Sequence, residues 1–347
     1  MNLTNRWMTL LLIFGLIFTV WSMVSCGDDD DDDSSKPEEY YDDDEDDQEE
    51  IHFQAGFSKV DITPQIPVMM AGYNSFFLSE YFCRWSEGVH DPLYAHGVAF
   101  EDADGDAIIM VVLDVVGVIT NEVKIIQNGI SVRTGLPEDN IIVAATHNHQ
   151  GPDTIGLWGV ILPPQTGRIE EYINQMVVGA IDAGAQAWQD RVPAYLEYAE
   201  GQEPRFHINE KVDDPNRMID DTMTVLVAYT PGGTPIGSIM NWASHPTVLP
   251  NENTIISSDF LGAYYQVMDD ALYGTHMFVN GAIGAAIQPD YEMFPERTWD
   301  DAYTMGEGLA EKAMSLMKKG TRIEYPDIWL LENREMSLKI ENIAFRL

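Results

Sequence analysis

Two histidines one residue apart, His147 and His149 in "THNHQGP" (146–152), follow directly on the apolar run "NIIVAA", and His245 in "NWASHPT" follows a second apolar run. Neutral imidazole binds zinc well, and a catalytic zinc keeps three protein ligands and one open position, where a water is acidified to a pKa of about 7. Three converging histidines would therefore point to hydrolysis. By spacing alone the pattern suits a turn as well as a metal, because a histidine before Gly or Pro is often bonded to backbone. His52, His96, His207 and His276 read as structural residues. Asp114, closing the apolar "AIIMVVLD" (107–114), and Asp259, just ahead of a helical pattern, could each accept a ring proton from a ligand histidine. A strand-end turn and a helix N-cap are the equally available structural roles.

The elements that would position these residues are legible as runs. Strands are predicted at 107–114, 140–146, 222–230, 236–244 and 276–280, with "PGGTP" as a hairpin signal between the third and fourth. Apolar residues recur at three and four through 167–190, predicting a helix, and two more are predicted at 260–273 and 299–318. Strands interleaved with helices imply an α/β fold with a mixed sheet flanked by helices. His147, His149 and His245 then sit at strand C-terminal ends, the edge where open α/β sheets bind ligands. If the strand persisted, His147 and His149 would point the same way.

The chain has 347 residues, 57 acidic against 19 basic, for a net charge of -38, which excludes nucleic acid as a partner by repulsion. Residues 1–26, "MNLTNRWMTLLLIFGLIFTVWSMVSC", read as a lipoprotein signal peptide in which Cys26 becomes the lipidated N-terminus, so the chain is expected to be exported and tethered to the cell envelope. An uncleaved membrane anchor is the alternative, since the apolar run approaches the roughly 17 to 25 residues that span a bilayer. Residues 27–50 carry 16 acidic side chains and one lysine, too polar to bury a core, and read as a disordered linker. Residues 51–347 are left as the folded domain, with Cys83 without a disulfide partner once Cys26 is lipidated. The last stretch, "IWLLENREMSLKIENIAFRL", reads as strand material without a closing element, as though a C-terminal portion were missing.

Seven ordered segments carry a family resemblance: "GFSKVDITP" (56–64), "MMAGY" (69–73), "GVHDPLYAHGVAF" (88–100), "VVLDVVG" (111–117), "THNHQGP", "GSIMNWASHPTVL" (237–249) and "IISSDFLGAYY" (255–265). In this order they resemble the N-terminal catalytic domain of the neutral, non-lysosomal ceramidases. The resemblance implies one Zn2+ per chain and hydrolysis of the amide that joins a fatty acid to a sphingoid base. It implies His147 and His245 as zinc ligands and His149 beside the reacting centre. It also exposes departures. The family's nucleophilic serine falls at Gln288 in "NGAIGAAIQPD" (280–290), which contains no serine; Gln150 replaces another serine; Glu210 stands where an arginine would fall. The family's further Glu and Tyr ligands lie beyond residue 347, so the first ligand shell is incomplete in this chain. Three readings of the absent serine follow: zinc-activated water attacks directly with His149 moving the proton; Ser257 or Ser258 substitutes, against their reading as helix-capping residues; or catalysis is lost and the protein binds a lipid or other ligand. A lipid or similar acyl amide is the implied substrate, other amides and esters remain alternatives, and the oligomeric state is left open.

Overall fold

The computed structural model describes residues 52–73, 83–160, 165–210, 218–284, 286–323 and 326–329. The expected signal and linker, Cys26 included, lie outside the described residues, as does nearly all of the strand-like C-terminal stretch. Strands and helices are numbered along the chain. The first sheet contains β1 (Gln54–Asp61), β3 (Tyr94–Glu101), β4 (Ala107–Leu113), β5 (Ile141–Ala145) and β6 (Val192–Pro193) in the order β5-β4-β3-β1-β6. The second contains β7 (Tyr195–Gln202), β9 (Thr222–Tyr229), β10 (Pro235–Trp242), β12 (Thr275–Asn280) and β14 (Thr321–Ile323) in the order β12-β10-β9-β7-β14. Two short pairs complete the strands: β2 (Gly88–Val89) with β11 (Ile255–Ile256), and β8 (His207–Asn209) with β13 (Ile287–Pro289). The helices are α1 (Thr120–Thr134), α2 (Glu170–Gln189), α3 (Phe260–Ala271) and α4 (Trp299–Met317).

The mixed sheet flanked by helices is thus present, but twice. The two sheets lie face to face, and Phe57, Val98, Val112, Leu226, Ile239 and Met277 form one apolar cluster between them. On the outer face of the first sheet Ile109, Val111 and Leu113 meet Ile126 and Ile130 of α1 and Met176 and Ala180 of α2. On the outer face of the second, Val225, Met240 and Phe278 meet Phe260 and Tyr264 of α3 and Met305 and Leu309 of α4. Burial on both faces explains why β4 reads as one continuous apolar run: odd residues face the helices and even ones the other sheet.

Each sheet has one parallel pair, β4 with β5 and β10 with β12, while its other pairings are antiparallel. Parallel neighbours need a crossover, which α1 supplies in one sheet and α3 in the other. The run 120–134 carries no strong helical pattern: Val123, Ile125, Ile126, Ile130 and Val132 are β-branched, and Asn128-Gly129 interrupts it. The crossover and the burial of Ile126 and Ile130 override that propensity.

Helix α2 lies close against β1 and β3. A Cβ added at Gly97 would stand 2.5 Å from the Ala183 carbonyl oxygen and 2.6 Å from Ser58 Oγ, which itself donates to the same carbonyl at 2.6 Å. Backbone cannot yield as a side chain can, so Gly97→Ala should destabilise the domain by about 1–3 kcal/mol. A lowered denaturant midpoint with an unchanged slope is the expected measurement.

Candidate metal centre

Strand β5 ends at Ala145, and its hydrogen bonding gives way at Thr146, whose N–H donates to the Leu113 carbonyl at 2.9 Å. His147 then takes φ +64°, a left-handed conformation uncommon for a residue with a Cβ. His147 and His149 therefore meet through a turn rather than by strand alternation, which corrects the simpler expectation. Strand β10 ends at Trp242 and delivers His245 from the other sheet. The ring centroids of His147 and His149 are 4.8 Å apart, those of His147 and His245 5.0 Å, and those of His149 and His245 5.6 Å. The ligating atoms of the three lie within 4.8 Å of one another, and among the described residues no other group of His, Cys, Asp or Glu converges in this way.

The ring chemistry suits a cation. His147 Nδ1 lies 2.7 Å from the Val116 carbonyl and His245 Nδ1 lies 2.6 Å from the Ile287 carbonyl. A carbonyl only accepts, so both Nδ1 atoms carry the proton and both Nε2 atoms keep a lone pair. Both nitrogens of His149 are buried without a hydrogen-bond partner. Burial holds all three pKa values below the ordinary histidine value, His149 down to about 2 with the neighbouring His147 as the next cause. Neutral imidazoles, two of them oriented by backbone and one with both nitrogens unpartnered in the protein, form a donor set that fits a zinc-type ion.

Arg84 and Arg297, which carried no motif signal, hold the loops together with Gly72 and Tyr73 of "MMAGY". Arg84, nearly buried, donates to the carbonyls of Ala71 and His149 at 2.6 Å each. Arg297 donates to the carbonyls of Thr247, Val248 and Leu249 at 2.8, 3.0 and 3.0 Å, just past His245. Tyr73 sets its ring edge-on to His149 at 5.3 Å and its hydroxyl on the Leu249 carbonyl at 2.7 Å. Gly72, with φ +100°, leaves no room for a side chain because a Cβ would fall 2.4 Å from that of His149.

The carboxylates do something other than orient imidazole. Asp114 is fully buried and accepts from the Tyr94 N–H and the Tyr265 hydroxyl, both at 3.0 Å. Asp259 accepts from the N–H groups of Val248, Leu249 and Phe260 at 3.0, 2.9 and 2.8 Å, capping α3 while it fixes the His245 loop. At His147 and His245 the ring-proton partners are the carbonyls of Val116 and Ile287. Ser258 Oγ donates to the Pro92 carbonyl at 2.7 Å, and Ser257 Oγ accepts from the Asp259 N–H at 2.8 Å; each hydroxyl has a backbone partner, and the cap itself is Asp259. Gln288 follows Ile287 in β13, and its Oε1 lies 2.6 Å from the Tyr291 hydroxyl.

Three of the remaining histidines take structural places. His207 stacks on Trp242 at 4.2 Å between the Ala243 carbonyl and Asp221, and His276 bonds Ser238 at 2.8 Å. His96 is fully buried with its ring 4.6 Å from that of Tyr265. Glu210 bonds through its backbone N–H to the Ala286 carbonyl at 3.0 Å.

Burial raises Asp114 to about 7, against an unfolded value near 3.8. Between these values the folded state holds a proton that the unfolded state has released, so stability falls as pH rises, by about 1.4 kcal/mol per unit. Asp114→Asn should flatten the decline between about pH 4 and pH 7 in pH-resolved chemical unfolding.

Comparison with known proteins agrees with this geometry. Residues 53–288 match the family described as neutral/alkaline non-lysosomal ceramidase, N-terminal. The neutral ceramidase of Pseudomonas aeruginosa is 26% identical over 227 residues, covering 62% of this chain and 33% of that protein. That of Mycobacterium tuberculosis is 28% identical over 223 residues, 59% of this chain and 33% of that protein. The chain thus spans about a third of the length of these relatives. The crystal structure of the Pseudomonas aeruginosa neutral ceramidase shares the fold, with a TM-score of 0.67 and 21% identity over 78% of this chain and 45% of that one. A matched segment that runs from β1 to β13 and contains all three site histidines shows that this chain belongs to the neutral/alkaline non-lysosomal ceramidase family.

Proposed function

We propose that this domain is a zinc-dependent hydrolase of an N-acylated sphingoid base or a similar acyl amide. The observation that carries the reading is the neutral three-histidine cluster, with Nε2 of His147 and of His245 left free by their backbone bonds. These two rings would hold the ion, which supplies positive charge to polarise the scissile carbonyl and makes water a stronger acid. His149, the one ring not anchored by the backbone, is the group that takes a proton from the attacking water and returns it to the departing amine nitrogen. Water adds to the carbonyl carbon, the C–N bond breaks, and a carboxylic acid and an amine leave. Gln288 cannot attack a carbonyl, and Ser257 and Ser258 have no histidine at their hydroxyls, which supports water as the nucleophile. A lipid tether at Cys26 and the acidic linker of 27–50 would set the domain at a membrane, where such substrates reside.

Zinc content and fatty-acid release from an acylated sphingoid base test this reading. About one zinc per chain, with release abolished by chelation and restored by zinc, is expected. His147→Ala and His245→Ala should each lose the metal, a larger effect than the roughly 10–100-fold typical of changes to a ligand's outer partners. Zinc without turnover on any amide or ester would favour a binding protein, and absence of zinc would sink the hydrolase.

A further inference from the structure

The histidines come from two loops on different sheets, and two side-chain amides span the gap between those loops. Gln150 is fully buried in the first loop, and its Nε2 donates to the Leu249 carbonyl of the second at 2.9 Å. Its Oε1 accepts from Asn253 at 2.9 Å and Arg84 at 3.3 Å. On the other side, Asn280 at the end of β12 donates from one Nδ2 to the Thr146 carbonyl at 2.8 Å and to the Ser244 carbonyl at 3.0 Å. Thr146 and Ser244 immediately precede His147 and His245, while Gln150 immediately follows His149. The four bonded points therefore bracket the three imidazoles from both ends.

We infer that Gln150 and Asn280 are positioning residues: a pair of amide ties that set the separation of His245 from His147 and His149, and through it the affinity and geometry of metal binding. The inference rests on the metal reading of the site. Each tie needs an N–H2 group, because both of the groups it reaches across the gap are carbonyls, which can only accept. A carboxylate of the same size keeps the volume and reverses the bond into a repulsion between two oxygens. At Gln150 it also keeps the contacts to Arg84 and Asn253, which separates the tie from general packing. A serine at position 150 is too short to reach Leu249.

The test titrates metal-depleted full-length protein with Co2+, whose visible absorption reports coordination geometry, and with Zn2+ in competition with a chelator. Gln150→Glu and Asn280→Asp should each weaken binding roughly 10-fold or more and alter the cobalt spectrum. Leu309→Ala, on the buried face of α4, should lower the melting temperature and leave affinity and spectrum at wild-type values. Should a carboxylate variant fail to fold by circular dichroism, Gln150→Ser or Asn280→Ser takes its place with the same expectation. Wild-type affinity and an unchanged spectrum in the tie variants would overturn the inference while leaving the hydrolase reading intact. Metal binding that is sensitive to the ties but unaccompanied by turnover would overturn the hydrolase reading alone, and a wild type that binds no metal would overturn both.

Discussion

The site exists because two sheets are docked. His147 and His149 leave the parallel pair of the first sheet and His245 leaves the parallel pair of the second, so no single sheet holds a competent cluster. What brings them within reach is the apolar layer of Phe57, Val98, Val112, Leu226, Ile239 and Met277 between the sheets. Sheets pack about 10 Å apart face to face, a gap that two loops can close at the strand ends. The convergence of the three histidines is therefore downstream of ordinary hydrophobic burial.

Electrostatics then decide which residues are available. In a chain this rich in carboxylates, the half-buried cluster contains none. Imidazole is neutral when desolvated and keeps a lone pair; a carboxylate in the same place must be bonded on all sides or take up a proton. Asp114 and Asp259 show this alternative: buried, satisfied by N–H and hydroxyl donors, and raised to about 7 and about 6. They brace the strand end and the loop that the histidines occupy. The left-handed backbone at His147 and the φ of +58° at Asp259 place local strain at the same spot, held by the surrounding bonds.

Much of this was legible in the chain. Apolar runs located β4, β5, β9, β10 and β12, and helical spacing located α2, α3 and α4, since each buries a regular face. The crossover helix α1 was hidden by β-branched residues and a glycine, whose preferences yield to the demand for a connection between parallel strands. Strands β1 and β7 were hidden because polar and small residues interrupt them, as in "YLEYAEGQ". Arg84, Arg297 and Asn280 carry no spacing signal, because their partners are mainly backbone carbonyls distant in sequence.

Residue types and their order were enough to mark the three histidines, their places after strands and the family pattern around "THNHQGP". Those are local properties, set by residue type and short-range spacing. It took the folded chain to reveal that the mixed sheet is doubled, that backbone carbonyls meet the rings of His147 and His245, and that Gln150 and Asn280 join the loops. Each of these depends on contacts between segments tens to more than a hundred residues apart, and such contacts follow from packing, which leaves no mark in local spacing.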